Sequence, residues 1–220
     1  IESNGFLERE RTVDNALINM YGNVCDVHDA SKVFEKLSER NDLSWVSMMA
    51  VYVDHGYAAL GLKHCANMSQ EGIKFDRVMF IYVVKAQGIL GNLKEGQWLH
   101  HEIVMNKMES DVIIASSLID MYAKCRCMDD ASEGFTMIPN QNAVSYGAMI
   151  SGFVRCGMPF HALDLFDCME NDIEPSEATY VCCLKACGII NALDRGRGLH
   201  KQLFMNEHMN LIIGSALIDM

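Results

Sequence analysis

Apolar residues recur at helical spacing along this chain, and short polar or glycine-containing breaks separate one run from the next. Within residues 112–122, Ile114, Leu118, Met121 and Tyr122 share one face of a helix, while polar residues fill the positions between them. No segment alternates apolar and polar residues between turn signals, so the pattern predicts no sheet. The chain is therefore expected to be all-α.

Each break separates two short helices. After the break at 124–126, the second helix is expected to begin with Asp129 or Asp130 as its N-cap, because a carboxylate there accepts from unpaired backbone N–H groups. Its residues that should face inward are Ala131, Phe135 and Met137. Glycine, which adopts left-handed backbone at little cost, marks the break elsewhere at Gly56, Gly91 and Gly157.

The chain also repeats itself. Segment 76–110 matches 176–210 at 10 of 35 positions, where roughly two would agree by chance. At an offset of 101, residues 17–34 and 118–135 share Leu-Ile, Met-Tyr, Asp-Ala-Ser and Phe at the same places, and 215–220 begins a third copy. The helix pair is thus a tandem repeat.

The repeats follow a cycle of 31, 35 and 35 residues. The tail is 1–9, and the units are 10–40, 41–75, 76–110, 111–141, 142–175 and 176–209, with a partial unit at 210–220. Units that contact mainly their neighbours stack in one direction, so we predict one continuous array, an α-solenoid superhelix of helix-turn-helix repeats with about thirteen helices. In the last helix we expect four partly uncovered residues: Leu211, Ile213, Leu217 and Met220.

Composition agrees with a folded chain. Half of the residues are hydrophobic and only 3 are proline, which excludes disorder and collagen. Asp, Lys, Glu or His interrupts every apolar run, so we expect no membrane span. The 9 cysteines form no Cys-x-x-Cys pair, which favours buried, reduced thiols over disulfides or a metal site.

The short units carry the strings ALINMY, SLIDMYAKC and SALIDM, the second unit type opens with DLSWVSMM and NAVSYGAMISGF, and the third contains LKACG. With the 31/35/35 cycle, these strings resemble the plant pentatricopeptide repeat (PPR) proteins of the PLS subclass over the whole chain. A tetratricopeptide array would instead keep a constant period of 34. The resemblance implies binding of single-stranded RNA, one base per repeat, in a chloroplast or mitochondrion. It further implies an RNA editing or processing factor with editing-complex proteins as partners.

The resemblance also implies two base-facing side chains per unit, one inside the first helix and one at the boundary with the next unit. These pairs are Asn15 with Asn41, Val46 with Asp76, Ile81 with Asp111, Ser116 with Asn142, Gly147 with Ser176, and Val181 with Asn210, and Ser215 is the inner residue of the partial unit. Ile81 and Val181 are expected only to pack helices. By the family's pattern the first pair favours C or U and the fourth favours A. The expected core is a pyrimidine, two weakly specified bases and adenine.

Lys124 and Arg155 end the first helices of their units, where the resemblance implies a cation near phosphate. A cation there also stabilises the helix C-terminus, and the sequence leaves both roles open. The net charge of −11 opposes binding to a phosphate backbone. This acidity, and the apolar residues at base-facing positions, keep a second hypothesis open, a helical-repeat scaffold for a protein partner.

Other residues with reactive side chains are expected to be structural. His100, His101 and His200 recur in a helical pattern without further ligands at fixed spacing. We therefore expect no metal, cofactor or small-molecule substrate. The combined His-x-Glu and Cys-x-x-Cys signature of a zinc deaminase is absent from the sequence, so these residues are not expected to form an enzyme.

Overall fold

The computed structural model describes residues 13, 15–37, 40–169, 173–205 and 211–219. These residues contain thirteen α-helices and no strand, so the all-α prediction is confirmed for the part described. The helices are α1 (15–23), α2 (Val27–Lys36), α3 (Asp42–Asp54), α4 (Ala58–Gln70), α5 (Arg77–Leu90), α6 (Leu93–Met105), α7 (Val112–Lys124), α8 (Met128–Thr136), α9 (Ala143–Arg155), α10 (Pro159–Asp167), α11 (Glu177–Ile189), α12 (Leu193–Met205) and α13 (Leu211–Asp219). The tail 1–9 and Asn210 lie outside the described residues.

The helices form two compact units, Ile1–Asn92 and Leu93–Met220. In the first unit, α3 packs against its hairpin partner α4 and against α5, the first helix of the next repeat. In the second unit, α7, α9, α11 and α13 pack in succession, while α8 and α10 each contact the first helices on both sides. Within each unit, first helices therefore pack against first helices and second helices against them, as in an α-solenoid.

The turn between the two helices of each repeat contains a residue with positive φ. These residues are Cys25, Gly56, Gly91, Arg126, Gly157 and Asn191. They are separated by 31, 35, 35, 31 and 34 residues, the spacing seen in the sequence. The helix-ending role expected of Gly56, Gly91 and Gly157 is confirmed, with φ of 81°, 69° and 75°.

The short units have short second helices. α2 and α8 have 10 and 9 residues, whereas α4, α6 and α12 of the longer units have 13, and α10, with 9, is the exception among the longer units. The usual difference is about one turn of helix, close to the four residues that separate the unit lengths.

The end positions of α8 differ from the prediction. Its N-cap is Cys127, and Asp129 and Asp130 lie in the first turn, where their charge favours the positive end of the helix dipole. Because α8 ends at Thr136, Met137 is exposed and Ile138 is buried in its place. The prediction that Met137 faces inward was wrong.

Aromatic pairs join each of four second helices, or the segment after one, to the first helix of the next repeat. The ring centroids lie 4.8 to 5.9 Å apart in edge-on geometry, in the pairs Phe34–Trp45, Phe75–Phe80, Phe135–Tyr146 and Phe166–Tyr180. Edge-to-face contact at these distances is favourable beyond the area it buries. These pairs fix how one repeat meets the next.

His64 lies beside the first of these pairs. Its ring centroid is 4.8 Å from Phe34 and 4.5 Å from Trp45, and its Nε2 is 3.1 Å from the Trp45 carbonyl oxygen. Burial lowers the pKa of His64 to about 4. The residue is therefore neutral at physiological pH and packs as part of the core.

His100 and the three buried cysteines contribute to packing. His100 Nδ1 lies 2.9 Å from the Tyr122 hydroxyl and so links α6 to α7, and burial lowers its pKa. All 9 cysteines are free thiols, but only three are buried, so the expectation of burial was wrong for the others, most clearly for the exposed Cys25 and Cys168. Cys25 lies in the turn between α1 and α2, and Cys168 is the C-cap of α10. Burial raises the pKa of Cys65, one of the three, to about 12.

The last described helix is better covered than expected. α13 packs against α11, and Ile213 is fully buried, while Leu217 is half-buried. The expectation of partial exposure was therefore wrong for Ile213. The side chains of Leu211 and Met220 lie outside the described residues. Among the helices of the described ranges, none is long and apolar enough to cross a membrane.

Candidate nucleic-acid interface

A row of polar residues begins the first helices. The side-chain oxygens of Asn41, Asp76, Asp111, Asn142 and Ser176 each accept a backbone N–H of the helix that follows, namely α3, α5, α7, α9 and α11. An N-cap side chain accepts hydrogen bonds from N–H groups that have no partner inside the helix. This local role by itself favours a polar residue at each of these positions. The same contact holds the boundary residues in equivalent orientations.

Capping uses only part of each side chain. Asn142 Oδ1 accepts from Val144 N at 3.0 Å and from Ser145 N at 3.2 Å, and Asn41 Oδ1 accepts from Ser44 N at 2.8 Å. Among the described residues, neither amide Nδ2 is engaged in a hydrogen bond. Each asparagine can therefore still donate two hydrogen bonds to a ligand.

The inner residues are more enclosed than the caps. Asn15, Ile81 and Ser116 are buried, Val46, Gly147 and Val181 are half-buried, and Ser215 is exposed. The Ser116 hydroxyl donates to the Val112 carbonyl at 2.6 Å, so its oxygen remains only as an acceptor. Asn15 Oδ1 is buried without a hydrogen-bond partner. Asn15 and Ser116 thus both offer an acceptor.

Each first helix carries its cap and inner residue on a common stripe. In α7 the stripe runs through Asp111, Ile113, Ser116, Asp120 and Lys124, at intervals of two, three, four and four residues. From Ile113 onward these residues share one side of α7, because residues three or four apart lie on the same side of a helix, and the N-cap Asp111 precedes them. We call these five positions of each repeat the first-helix stripe.

The stripes of α9 and α11 meet at a cleft of about 310 Å³. Its lining includes Val144, Gly147 and Ser151 from α9, with Ser176 and Ala178 from the start of α11. The cleft therefore brings together Gly147 and Ser176, one of the predicted pairs. A Cβ atom on Gly147 would lie 3.0 Å from Thr179 Oγ1, which is itself 2.9 Å from Ser176 Oγ, so glycine keeps the cleft open.

One position of the stripe was not predicted from the sequence. The residue two after each cap is apolar yet exposed in four repeats: Leu43, Val78, Ile113 and Val144. Each lies three residues before an inner residue and so projects on the same side of its helix. The sequence does contain a signal for this position. An apolar residue recurs at the second position of these helices, although that position does not belong to the spacing of the buried apolar residues.

The two predicted phosphate contacts share one carboxylate. Lys124 Nζ lies 2.7 Å from Asp120 Oδ2, and Arg155 Nη1 lies 3.0 Å from Asp120 Oδ1. Both cations lie on stripes, Lys124 at the end of α7 and Arg155 at the end of α9. The structure thus places them together and pairs them with Asp120.

The stripes of the second compact unit are less acidic than the chain as a whole. On α7, α9 and α11 they carry Lys124, Arg155 and Lys185 against Asp111 and Asp120, one net positive charge in a chain of −11. On α3 and α5 in the first unit they carry Lys85 against Asp54 and Asp76, one net negative charge. Within the described residues, no group of three or more His, Cys, Asp or Glu side chains could hold a metal ion.

Comparison with family models decides the class of repeat. The model of the PPR repeat matches residues 15–42 and 113–139, and that of the PPR repeat family matches 141–188. The chain belongs to the PPR repeat family. The matches begin in a first helix or two residues before one, and they include the caps Asn41, Asn142 and Ser176.

Relatives of this PPR chain occur in Arabidopsis thaliana. A chloroplastic pentatricopeptide repeat-containing protein is 32% identical over 94% of the chain and 34% of its own length. A putative pentatricopeptide repeat-containing protein is 35% identical over 85% of the chain and 19% of its own length, and a putative mitochondrial one is 28% identical over 94% and 35%. The PPR chain thus spans a fifth to about a third of these relatives.

Solved structures share the fold. The maize pentatricopeptide repeat protein PPR10 has a TM-score of 0.70 at 16% identity, covering 92% of this chain and 31% of PPR10. PPR10 in complex with an 18-nt psaJ RNA element has a TM-score of 0.51 at 13% identity, covering 94% and 37%. At these identities the likeness concerns the fold alone.

Proposed function

We propose that this PPR chain is a sequence-specific binding module for single-stranded RNA, with one base per repeat. The observation that carries the proposal is the cleft where the stripes of α9 and α11 meet, because it joins an inner residue to the next cap. The same stripe recurs on α3, α5 and α7. Support also comes from PPR10, which shares the fold and has been crystallised with RNA.

The stripe suits a base held by its edge and its face. The exposed apolar residue two after the cap can cover a base face, while the inner residue and the next cap reach the Watson–Crick edge. At Ser116 and Asn142, the asparagine amide can donate to adenine N1 and the serine oxygen can accept from adenine N6. This geometry favours adenine at that repeat, as the family's pattern implies.

The other pairs would discriminate less sharply. Asn15 with Asn41 offers an amide on both sides, which suits the mixed donor and acceptor edge of C or U. Val46 with Asp76 and Gly147 with Ser176 have one polar side chain each, so each would specify its base weakly. Ser215 would be the inner residue of a further repeat.

The proposed cellular compartment is a chloroplast or a mitochondrion. Relatives of this chain are chloroplastic or mitochondrial proteins, which supports an organellar RNA editing or processing factor. In such a factor this chain would bind the transcript rather than perform chemistry, and editing-complex proteins would be its further partners.

A second candidate is a scaffold for a protein partner. The net charge of −11 and the single net negative charge of the α3 and α5 stripes taken together favour it, because both disfavour a phosphate backbone. The exposed apolar residues of the stripe could then contact an apolar peptide instead of bases. Binding assays with RNA separate the two candidates.

The test compares one substitution on two faces of the second unit. Val144 on the α9 stripe and Val104 on the second helix α6 are 58% and 37% exposed. Val144→Ser should weaken binding to a single-stranded RNA pool about five-fold, because it removes apolar contact with a base, and Val104→Ser should leave it unchanged. Duplex RNA of the same sequences should not bind. Equal binding of duplex and single strand, or equal effects of the two variants, would contradict the proposal.

A further inference from the structure

One carboxylate holds both cations that end the stripes of α7 and α9. Asp120 lies one turn before Lys124 on α7 and across the helix contact from Arg155 on α9. It is about one-third exposed, as is Lys124, and Arg155 is 40% exposed. The three groups therefore form a small, solvent-reachable cluster on the face that carries Ser116, four residues before Asp120.

This arrangement differs from the neighbouring repeats. At the position of Asp120, α9 has Ser151, α11 has Lys185 and α5 has Lys85. Among these four first helices, only α7 thus carries an acidic residue there. Pairing Lys124 to Asp120 within α7 would suffice to stabilise that helix, yet Asp120 also reaches Arg155 of the next repeat with its other oxygen.

We propose, on the basis of the proposed RNA-binding function, that Asp120 occupies the position of an RNA phosphate and limits the affinity of the chain. A carboxylate and a phosphodiester both present paired anionic oxygens to Lys and Arg. Lys124 and Arg155 thus form an anion site whose resident ligand is Asp120, and an RNA phosphate binds there only by displacing it. The exchange is feasible because partly exposed ion pairs contribute little free energy.

Asp120 would shift the balance of RNA affinity from phosphate contacts towards base contacts. Contacts to phosphate add affinity for every sequence and carry no base information, whereas base contacts discriminate. By pairing with two cations at this repeat, Asp120 offsets one of their two positive charges, which lowers backbone affinity and leaves binding more dependent on the bases. It acts as a positioning residue, holding Lys124 and Arg155.

The test uses Asp120→Asn in the whole 220-residue chain, with a matched control. Asp194→Asn changes the net charge equally and frees Arg197 from an exposed ion pair, 3.4 Å long, on the second helix α12. Asp120→Asn should tighten binding to every single-stranded RNA by roughly five-fold at low salt, and steepen the dependence of log K on log salt by up to about 1.4 for two phosphate contacts. Asp194→Asn should change neither.

A double-mutant series identifies the cations responsible. Lys124→Ala and Arg155→Ala should each alter RNA affinity less than two-fold in the native background, where Asp120 engages both cations. In the Asp120→Asn background, each should remove a large part of the gain. Gains that persist without either cation would overturn the proposal.

A second probe separates this inference from the proposed function. Elution from immobilised heparin reports an anion site without any base reading, and Asp120→Asn should elute at higher salt than Asp194→Asn. If RNA binds but the two variants behave alike, the role of Asp120 is wrong and the function stands. If RNA fails to bind and the heparin shift is present, the anion site stands and the function is wrong.

Discussion

At the scale of single residues, His64 shows how burial decides chemistry. Its neighbours are Phe34, Trp45 and the backbone carbonyl of Trp45, and the Arg40 guanidinium lies 5.0 Å from the Phe34 ring. Removing a charged imidazolium from water is costly, so burial lowers the pKa of His64 to about 4. The same residue type is exposed at His101 and His200.

Unfolding should become easier as pH falls because of His64. The folded pKa is about 4 and the ordinary value is 6.5, so protons bind preferentially to the unfolded chain below pH 6.5. The stabilisation is complete above that pH and is lost towards pH 4, at up to about 1.4 kcal/mol per pH unit. Urea denaturation of His64→Gln should show a shallower pH dependence than the native chain, with the exposed His101→Gln as control. Equal pH dependence in His64→Gln and the native chain would contradict the assignment.

At the scale of elements, close approach of first helices sets how the repeats stack. α7 and α9 pack closely because Gly152 faces Ala123, and a Cβ on Gly152 would lie 2.9 Å from the Ala123 Cβ. Neither atom can rotate away, so a larger residue must separate the helices. The stripes of α7 and α9, including the shared Asp120, depend on this contact.

Glycine substitutions in two helices should have opposite effects. Gly152→Ala should destabilise the chain by about 1–2 kcal/mol, because overpacking at the α7–α9 contact exceeds the gain in helix propensity. Gly134→Ala on α8 meets nothing within 4 Å and should stabilise by roughly 0.5–1 kcal/mol. Thermal or urea denaturation measures both. Stabilisation by Gly152→Ala would show that the contact is looser than described.

At the scale of the whole molecule, the proposed RNA binding is compatible with an acidic chain because charge is unevenly distributed. The stripes of the second unit carry one net positive charge, while the chain carries −11. Few phosphates can therefore be neutralised, and the proposed binding would rest mainly on bases. The repeat with the best-matched polar pair, Ser116 with Asn142, lies in this unit.

Much of this organisation could be predicted from the sequence, since helical periodicity and internal repetition are local signals. The positions of Gly56, Gly91 and Gly157 followed from backbone sterics alone. The capping of first helices by Asn41 and Asn142 was not anticipated, although polar residues at those boundaries were. The bridge from Asp120 to Arg155 could not be predicted, because it depends on how α9 lies against α7. The predicted N-cap of α8 was wrong because the N-cap is Cys127, whose side chain makes no capping hydrogen bond. N-cap preferences favour Ser, Thr, Asp or Asn at this position instead.

The central claim, that the stripes read bases, is tested most directly by changing one base preference. Ser116→Asn with Asn142→Asp keeps the N-cap, since Asp caps as well as Asn, and places a carboxylate where it can accept from uracil N3–H. Affinity is measured for four single-stranded RNAs that differ only at the base opposite this repeat. The native chain should prefer A and the double variant U, with preferences at other positions unchanged. If the double variant binds all four RNAs more weakly by the same factor, Ser116 and Asn142 do not read a base and the account is wrong.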